Sequence, residues 1–201
     1  SNGGRYAIFP GNNFEAHLIA YFDGVFNLPG KTGMSGIMTE YAQNVDENGD
    51  STYGGVWAGA YNPYLYGMLD EFGYDSLKIT DWGVYRDFGM GDATGTWGTD
   101  GMTSGECIAL SWERGANLLG GDNNFPAIAE AYDKLVADCG EDGADAILSE
   151  AAGNYIETMM NLGMFEQPYN DSAYAESIIS TGTPSELGLE SQEASVVMIK
   201  N

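Results

Sequence analysis

The chain has 201 residues and a mass of 21.5 kDa, enough for one ordinary domain or two small ones. Seven Lys and Arg stand against 30 Asp and Glu, a formal net charge of −23. That excludes a general nucleic-acid binder and argues against attachment to anionic membrane surfaces, because both need a basic face. In chain order, residues 1–13 are rich in Gly and Asn and read as loop. Phe14, Leu18, Tyr21, Phe22 and Val25 have helical spacing and predict a helix over 14–26, with Asn12 or Asn13 at its start. A loop with Pro29, Gly30 and Gly33 follows, and then a short buried strand over 35–41. Residues 42–60 are polar and Gly-rich, a long excursion. Asn62-Pro63 opens a second helix whose apolar face is Tyr64, Leu65, Met68, Leu69 and Phe72, and Gly73 is placed to end it.

Residues 76–82 read as a strand that ends in the carboxylate of Asp81. A Gly-rich loop over 83–102 contains Trp97 and leads to a third helix over 104–114 and a third short strand over 116–119, closed by Gly120-Gly121. Two further helices are predicted over 125–139 and 144–162. Residues 166–188 are poor in apolar side chains and rich in Ser, Gly and Pro, as in a linker. Val196 to Ile199 form an apolar run expected to be a buried strand or helix end with nothing after it. Helices alternating with short apolar strands point to a parallel α/β sheet. Three strands are few for a parallel sheet covered on both faces, so the expectation is part of a larger fold.

Asp81 is the first candidate for chemistry, because side chains at the C-terminal ends of parallel strands line the ligand-binding edge of such folds. With Trp82 beside it the pair suits a sugar: the indole stacks on the apolar sugar face and the carboxylate meets the anomeric carbon. The competing structural roles are a helix cap or a bond to a backbone amide. Tyr41 ends the preceding strand on the same edge, where a phenol can hydrogen-bond and orient a carboxylate; the competing reading is a half-buried tyrosine. Glu40 is expected on the opposite side of that strand.

Other motifs fail. His17 is the only histidine and stands without a Ser or Cys partner motif. Asp46, Asn48 and Asp50 imitate a calcium loop, but its glycine position holds Ser51 and its twelfth position Trp57, so no metal is expected. Gly89, Gly91 and Gly95 have no phosphate-cradling spacing. The two cysteines, Cys107 and Cys139, are expected to be free thiols.

Six segments in register resemble glycoside hydrolase family 3. Ser35-Gly36-Ile37-Met38-Thr39-Glu40-Tyr41 is similar to that family's Val-Met-x-x-Tyr strand. Asn62-Pro63 through Leu69, followed by Phe72-Gly73-Tyr74-Asp75, is similar to its helix and its approach to the nucleophile strand. Ile79-Thr80-Asp81-Trp82-Gly83 resembles its Ser-Asp-Trp-Gly signature, with Thr80 for Ser. Gly115-Ala116-Asn117-Leu118 lies where the family often has Ala-Gly-x-Asp-Met, with Asn117 for Asp. Leu162-Gly163-Met164-Phe165-Glu166-Gln167-Pro168-Tyr169 and the stretch from Glu190 to Asn201 complete the series.

The resemblance implies an α/β fold made of the last three or so units of a (β/α)8 TIM barrel over 1–165. It implies an interdomain linker over 166–190 and the start of a second α/β sandwich domain over 191–201, the rest of that domain being the partner of this part. It also implies a retaining, exo-acting hydrolase of terminal β-glucosyl or xylosyl residues that needs no cofactor. In it Asp81 is the nucleophile, and Tyr41, Trp82 and Met38 contact a β-linked oligosaccharide or aryl glycoside. The family's Lys-His pair and an early acidic residue are expected upstream of Ser1 and the acid/base after Asn201, so the 201-residue piece alone is expected to be inactive. The alternatives are a carbohydrate-binding domain without catalysis and an α/β domain whose Asp81 and Tyr41 are structural. The compartment is undecided between bacterial cytoplasm and secretion.

Overall fold

The two strands expected to carry the candidate residues pair side by side. The computed structural model describes residues 4–21, 33–85, 97–179 and 183–200, in two units, Ser1–Thr158 and Met159–Asn201. In the first unit β2 (Gly36–Met38) runs parallel to β4 (Leu77–Ile79), with Ile37 opposite Lys78. The Thr39 amide bonds the Ile79 carbonyl at 3.0 Å, carrying the ladder one residue further. On the other edge of β4, Leu118 forms a parallel bridge to Ile79. Thus the strand predicted over 116–119 contributes one bridge only. Asn117 explains the shortfall: its side-chain oxygen accepts from the Lys78 amide at 2.8 Å, taking a place a backbone carbonyl would fill.

Two strands arise where loop was expected. β1 (Tyr6–Phe9) lies within residues 1–13, and β3 (Gln43–Asp46) lies within the 42–60 excursion; they pair in parallel. β3 has no apolar alternation to announce it. All four of its residues are buried, and two of the polar ones, Gln43 and Asp46, are held by side-chain bonds. Gln43 takes the Arg5 Nε at 2.6 Å and gives its amide to the Val56 carbonyl at 2.6 Å. The Asp46 carboxylate accepts from the amides of Asn48 and Asp50 and from the Thr52 hydroxyl. These bonds favour its charged form, so its pKa is lowered, and its oxygens are engaged within the turn.

The helices follow the sequence more closely. α1 (Phe14–Tyr21) begins as predicted; residues 22–26 of that prediction, with Pro29 and Gly30, lie outside the described residues, as do Gly89, Gly91 and Gly95. α2 (Pro63–Glu71) is capped by Asn62, which is fully buried. The Asn62 side-chain oxygen accepts from the Tyr64 amide at 2.9 Å, and its Nδ2 donates to the Tyr53 carbonyl at 2.9 Å. Gly73, at φ +69°, ends the helix. α3 (Ser104–Glu113) starts from a capping box between Thr103 and Glu106. α4 (Phe125–Asn161) is broken by Gly140 at φ 78°, between the two predicted helices. Tyr61, Val84, Tyr85, Ile108, Trp112 and Leu135 are at the centre of the buried core. Cys107 is buried and Cys139 exposed, and neither forms a disulfide among the described residues.

In the second unit the segment expected to be a linker carries α5 (Ser172–Ile179) and α6 (Thr183–Ser195). Val196, Val197, Met198 and Ile199 follow α6 outside any helix or strand and are exposed, not buried as the sequence suggested. Among the described residues no helix is long and apolar enough to cross a membrane.

Asn62 serves both a helix end and a loop carbonyl from a buried position, so its removal leaves several groups without partners. Asn62→Ala is expected to lower stability by about 2–3 kcal/mol, seen as a lower urea midpoint at unchanged slope. A loss below about 0.5 kcal/mol would contradict this role.

Candidate active site

β2 and β4 deliver Tyr41 and Asp81 to the same end of their ladder, just past the C-terminal ends of both strands. The Tyr41 hydroxyl donates to Asp81 Oδ1 at 2.9 Å and also lies in hydrogen-bond contact with the Trp82 carbonyl oxygen. A phenol has one proton, so these two acceptors share it. Asp81 Oδ1 receives a second bond, from the Trp82 amide at 2.6 Å. Oδ2 accepts no bond from any described residue. The carboxylate is thereby anchored through one oxygen and presents the other. It is neither deeply buried nor enclosed by main-chain amides; the one amide it meets is that of the next residue.

Burial is the main cause that pushes the Tyr41 pKa up to about 12, and the hydrogen bond to Asp81 and its charge add to it. The phenol therefore keeps its proton at neutral pH and serves as a donor. Trp82 is 49% exposed, so much of its indole is open to a ligand.

Thr80, fully buried, holds the floor of the site: its Oγ1 accepts from the Gly120 amide at 2.9 Å. The Gly120–Gly121 turn packs against the backbone of Thr80 and Asp81 and against the Trp82 ring. Sequence reasoning noted these glycines only as a strand terminus. Two consecutive glycines directly after a strand were the available sign of a close approach.

The structure places the other candidates elsewhere. Met38, at the end of β2 and half exposed, lines a cavity of about 370 Å³ together with His17, Glu40, Asn44 and residues of α1 and α2. It is not part of the hydrogen-bonded group of Tyr41, Asp81 and Trp82. Glu40 lies in that cavity, where burial raises its carboxyl pKa and the neighbouring Asn44 amide partly offsets the rise. His17 meets Phe9 edge-on at 5.3 Å. Among the described residues no three His, Cys, Asp or Glu side chains converge as a metal site.

No protein-family model matches the chain. Comparison with curated proteins finds similarity along almost all of it. A probable β-glucosidase C of Aspergillus oryzae is 23% identical over 203 residues, covering 98% of this chain and 29% of that protein. β-Glucosidase C of Emericella nidulans is 23% identical over 203 residues, covering 98% and 30%. A periplasmic β-glucosidase/β-xylosidase of Dickeya chrysanthemi is 25% identical over 216 residues, covering 98% and 31%. The chain spans about three tenths of the length of these relatives.

Because the folded Tyr41 pKa stands above the ordinary phenol value of about 10, its contribution to stability is complete below that pH and is lost as pH rises towards about 12. The stability gap between the wild type and Tyr41→Phe should be constant from neutrality to about pH 10 and close by about pH 12. Urea unfolding at a series of alkaline pH values measures it, and a gap unchanged through that window would contradict the bond.

Proposed function

We propose, from the premise that this chain is a relative of the β-glucosidases of glycoside hydrolase family 3 type, that it is the nucleophile-bearing part of a retaining exo-glycosidase. The substrates are terminal β-glucosyl or xylosyl residues of oligosaccharides or aryl glycosides. On this reading β2, β4 and the Leu118 segment are neighbouring strands of a (β/α)8 barrel over 1–165. Residues 166–190 lead out of it, and 191–201 open a second domain that completes the site. The parallel pairing of those three segments and the position of Asp81 past a strand end support this architecture.

The observation that carries the functional reading is the Tyr41–Asp81 hydrogen bond at 2.9 Å between the ends of two paired parallel strands. In the reaction Asp81 Oδ2 attacks the anomeric carbon as the glycosidic bond breaks, and the electron pair of that bond leaves with the aglycone oxygen. A second carboxylic acid, about 5 Å from the first in retaining enzymes, protonates that oxygen. It then removes a proton from water, which attacks the anomeric carbon and releases Asp81. That acid lies outside the proposed barrel segment. Tyr41 holds Oδ1 so that Oδ2 keeps its direction, and Trp82 offers an apolar wall to the sugar face.

The 201-residue chain alone should then turn over no 4-nitrophenyl β-glucoside, because the acid/base is not in it. In the full-length protein Asp81→Asn should lower kcat on the order of 10³-fold or more without shifting the thermal transition appreciably. Added azide, a small external nucleophile, should restore turnover and give the α-glycosyl azide. Wild-type activity in Asp81→Asn would remove Asp81 from the role.

A further inference from the structure

Trp82 is fixed at its backbone from both sides, yet nothing in that backbone sets the plane of its ring. Its amide donates to Asp81 Oδ1, and its carbonyl faces the Tyr41 hydroxyl. The ring needs a further surface, and the turn after the Leu118 bridge supplies it. Gly120 is pinned by its amide to Thr80 Oγ1 at 2.9 Å. A Cβ on Gly120 would fall 2.1 Å from the Thr80 carbonyl oxygen, so the turn lies flush on the strand end. Gly121 comes next at φ +66°, and a Cβ there would fall 1.9 Å from Trp82 Cδ1 and 2.0 Å from Nε1. The pyrrole edge of the indole occupies the space of the missing methyl group.

We propose that Gly121 is a positioning residue for Trp82, its missing side chain setting the plane on which a pyranose ring rests. This rests on the glycosidase reading for its ligand, but the contact itself does not. The chain separates two reasons for a glycine at Gly121. Positive φ alone already favours glycine, as at Gly49, which has φ +85° and open space where a Cβ would be. Gly121 has the same backbone demand plus a ring in the way. The difference between the two positions isolates the contribution of the ring. A Cβ at Gly121 forces the indole to rotate or the turn to lift, and the turn is tied down through Gly120, so rotation is the softer response. Rotation alters the surface offered to a sugar while leaving Asp81 Oδ2 in place, which predicts an effect on binding more than on chemistry.

The test has a spectroscopic arm on the 201-residue chain and a kinetic arm on the full-length enzyme. With 5-fluorotryptophan incorporated, the chain gives four ¹⁹F resonances from its four Trp residues, and Trp82→Phe identifies the one from Trp82. Gly121→Ala should move that resonance far more than the other three, and Gly49→Ala should leave it unmoved. In the enzyme Gly121→Ala should raise KM for 4-nitrophenyl β-glucoside roughly fivefold to tenfold with kcat within about twofold. In a Trp82→Ala background it should raise KM no further. Should Gly121→Ala unfold the chain, its thermal penalty must shrink in the Trp82→Ala background to that of Gly49→Ala. A penalty unchanged by Trp82→Ala, an unmoved Trp82 resonance, or a KM effect that persists without the indole overturns the proposal. Activity retained in Asp81→Asn would overturn the glycosidase reading alone, leaving the fluorine result to decide the contact.

Discussion

A single proton on Tyr41 joins the ends of two parallel strands, and the arrangement of the candidate site depends on it. Tyr41 and Asp81 are 40 residues apart in the chain. They meet because β2 and β4 run in the same direction in register, so that both leave the ladder at the same edge. The phenol then serves both Asp81 Oδ1 and the carbonyl of Trp82. The Trp82 amide closes the group onto the same oxygen. The result is an asymmetric carboxylate in a partly exposed position, one oxygen committed and the other without a bond among the described residues. Asymmetry of this kind suits a nucleophile, which needs one fixed oxygen to aim the other.

The surroundings explain how so small a ladder holds that geometry. β4 has a neighbour on both edges, and Asn117 supplies by its side chain a bond the short third segment lacks. The buried Lys78 reaches Asp70 on α2 at 2.8 Å, tying the strand to the helix that precedes it. Thr80 and the Gly120–Gly121 turn close the end of the strand from below. Thr80 stands where the signature that this segment resembles has serine, and the bond to the Gly120 amide needs only a hydroxyl oxygen. The chain's net charge of −23 repels anionic ligands.

Much of this was legible in the residues, and the parts that were not have physical causes. α2 was visible through its apolar face together with Asn62, Pro63 and Gly73, three local signals that agree. The break in α4 was visible at Gly140. The pairing of Tyr41 with Asp81 was legible because each stands just past an apolar strand, Tyr41 three residues after Met38 and Asp81 two after Ile79. β3 was not, since three of its four buried residues are polar, and Gln43 and Asp46 are stabilised by bonds to Arg5, Val56 and Thr52 that only the folded chain brings together. β1 was hidden in a Gly- and Asn-rich context and takes its meaning from β3. Met38 shares its strand with the path to Tyr41, but it lines the cavity beside His17 and Glu40, as do its neighbours Ile37 and Thr39. α6 has little apolar content to signal it, and α5, though it holds Ala173, Tyr174, Ala175, Ile178 and Ile179, is short and sits in a Ser-, Gly- and Pro-containing stretch that reads as linker.

The most direct measurement of the central claim is covalent trapping. Full-length protein incubated with a 2-deoxy-2-fluoro-β-glucosyl fluoride, digested and sequenced by tandem mass spectrometry, reports which carboxylate has attacked the sugar. The account predicts one fluoroglucosyl group per molecule, esterified to Asp81. Label on any other residue, or none in an enzyme that still hydrolyses the β-glucoside, would contradict it.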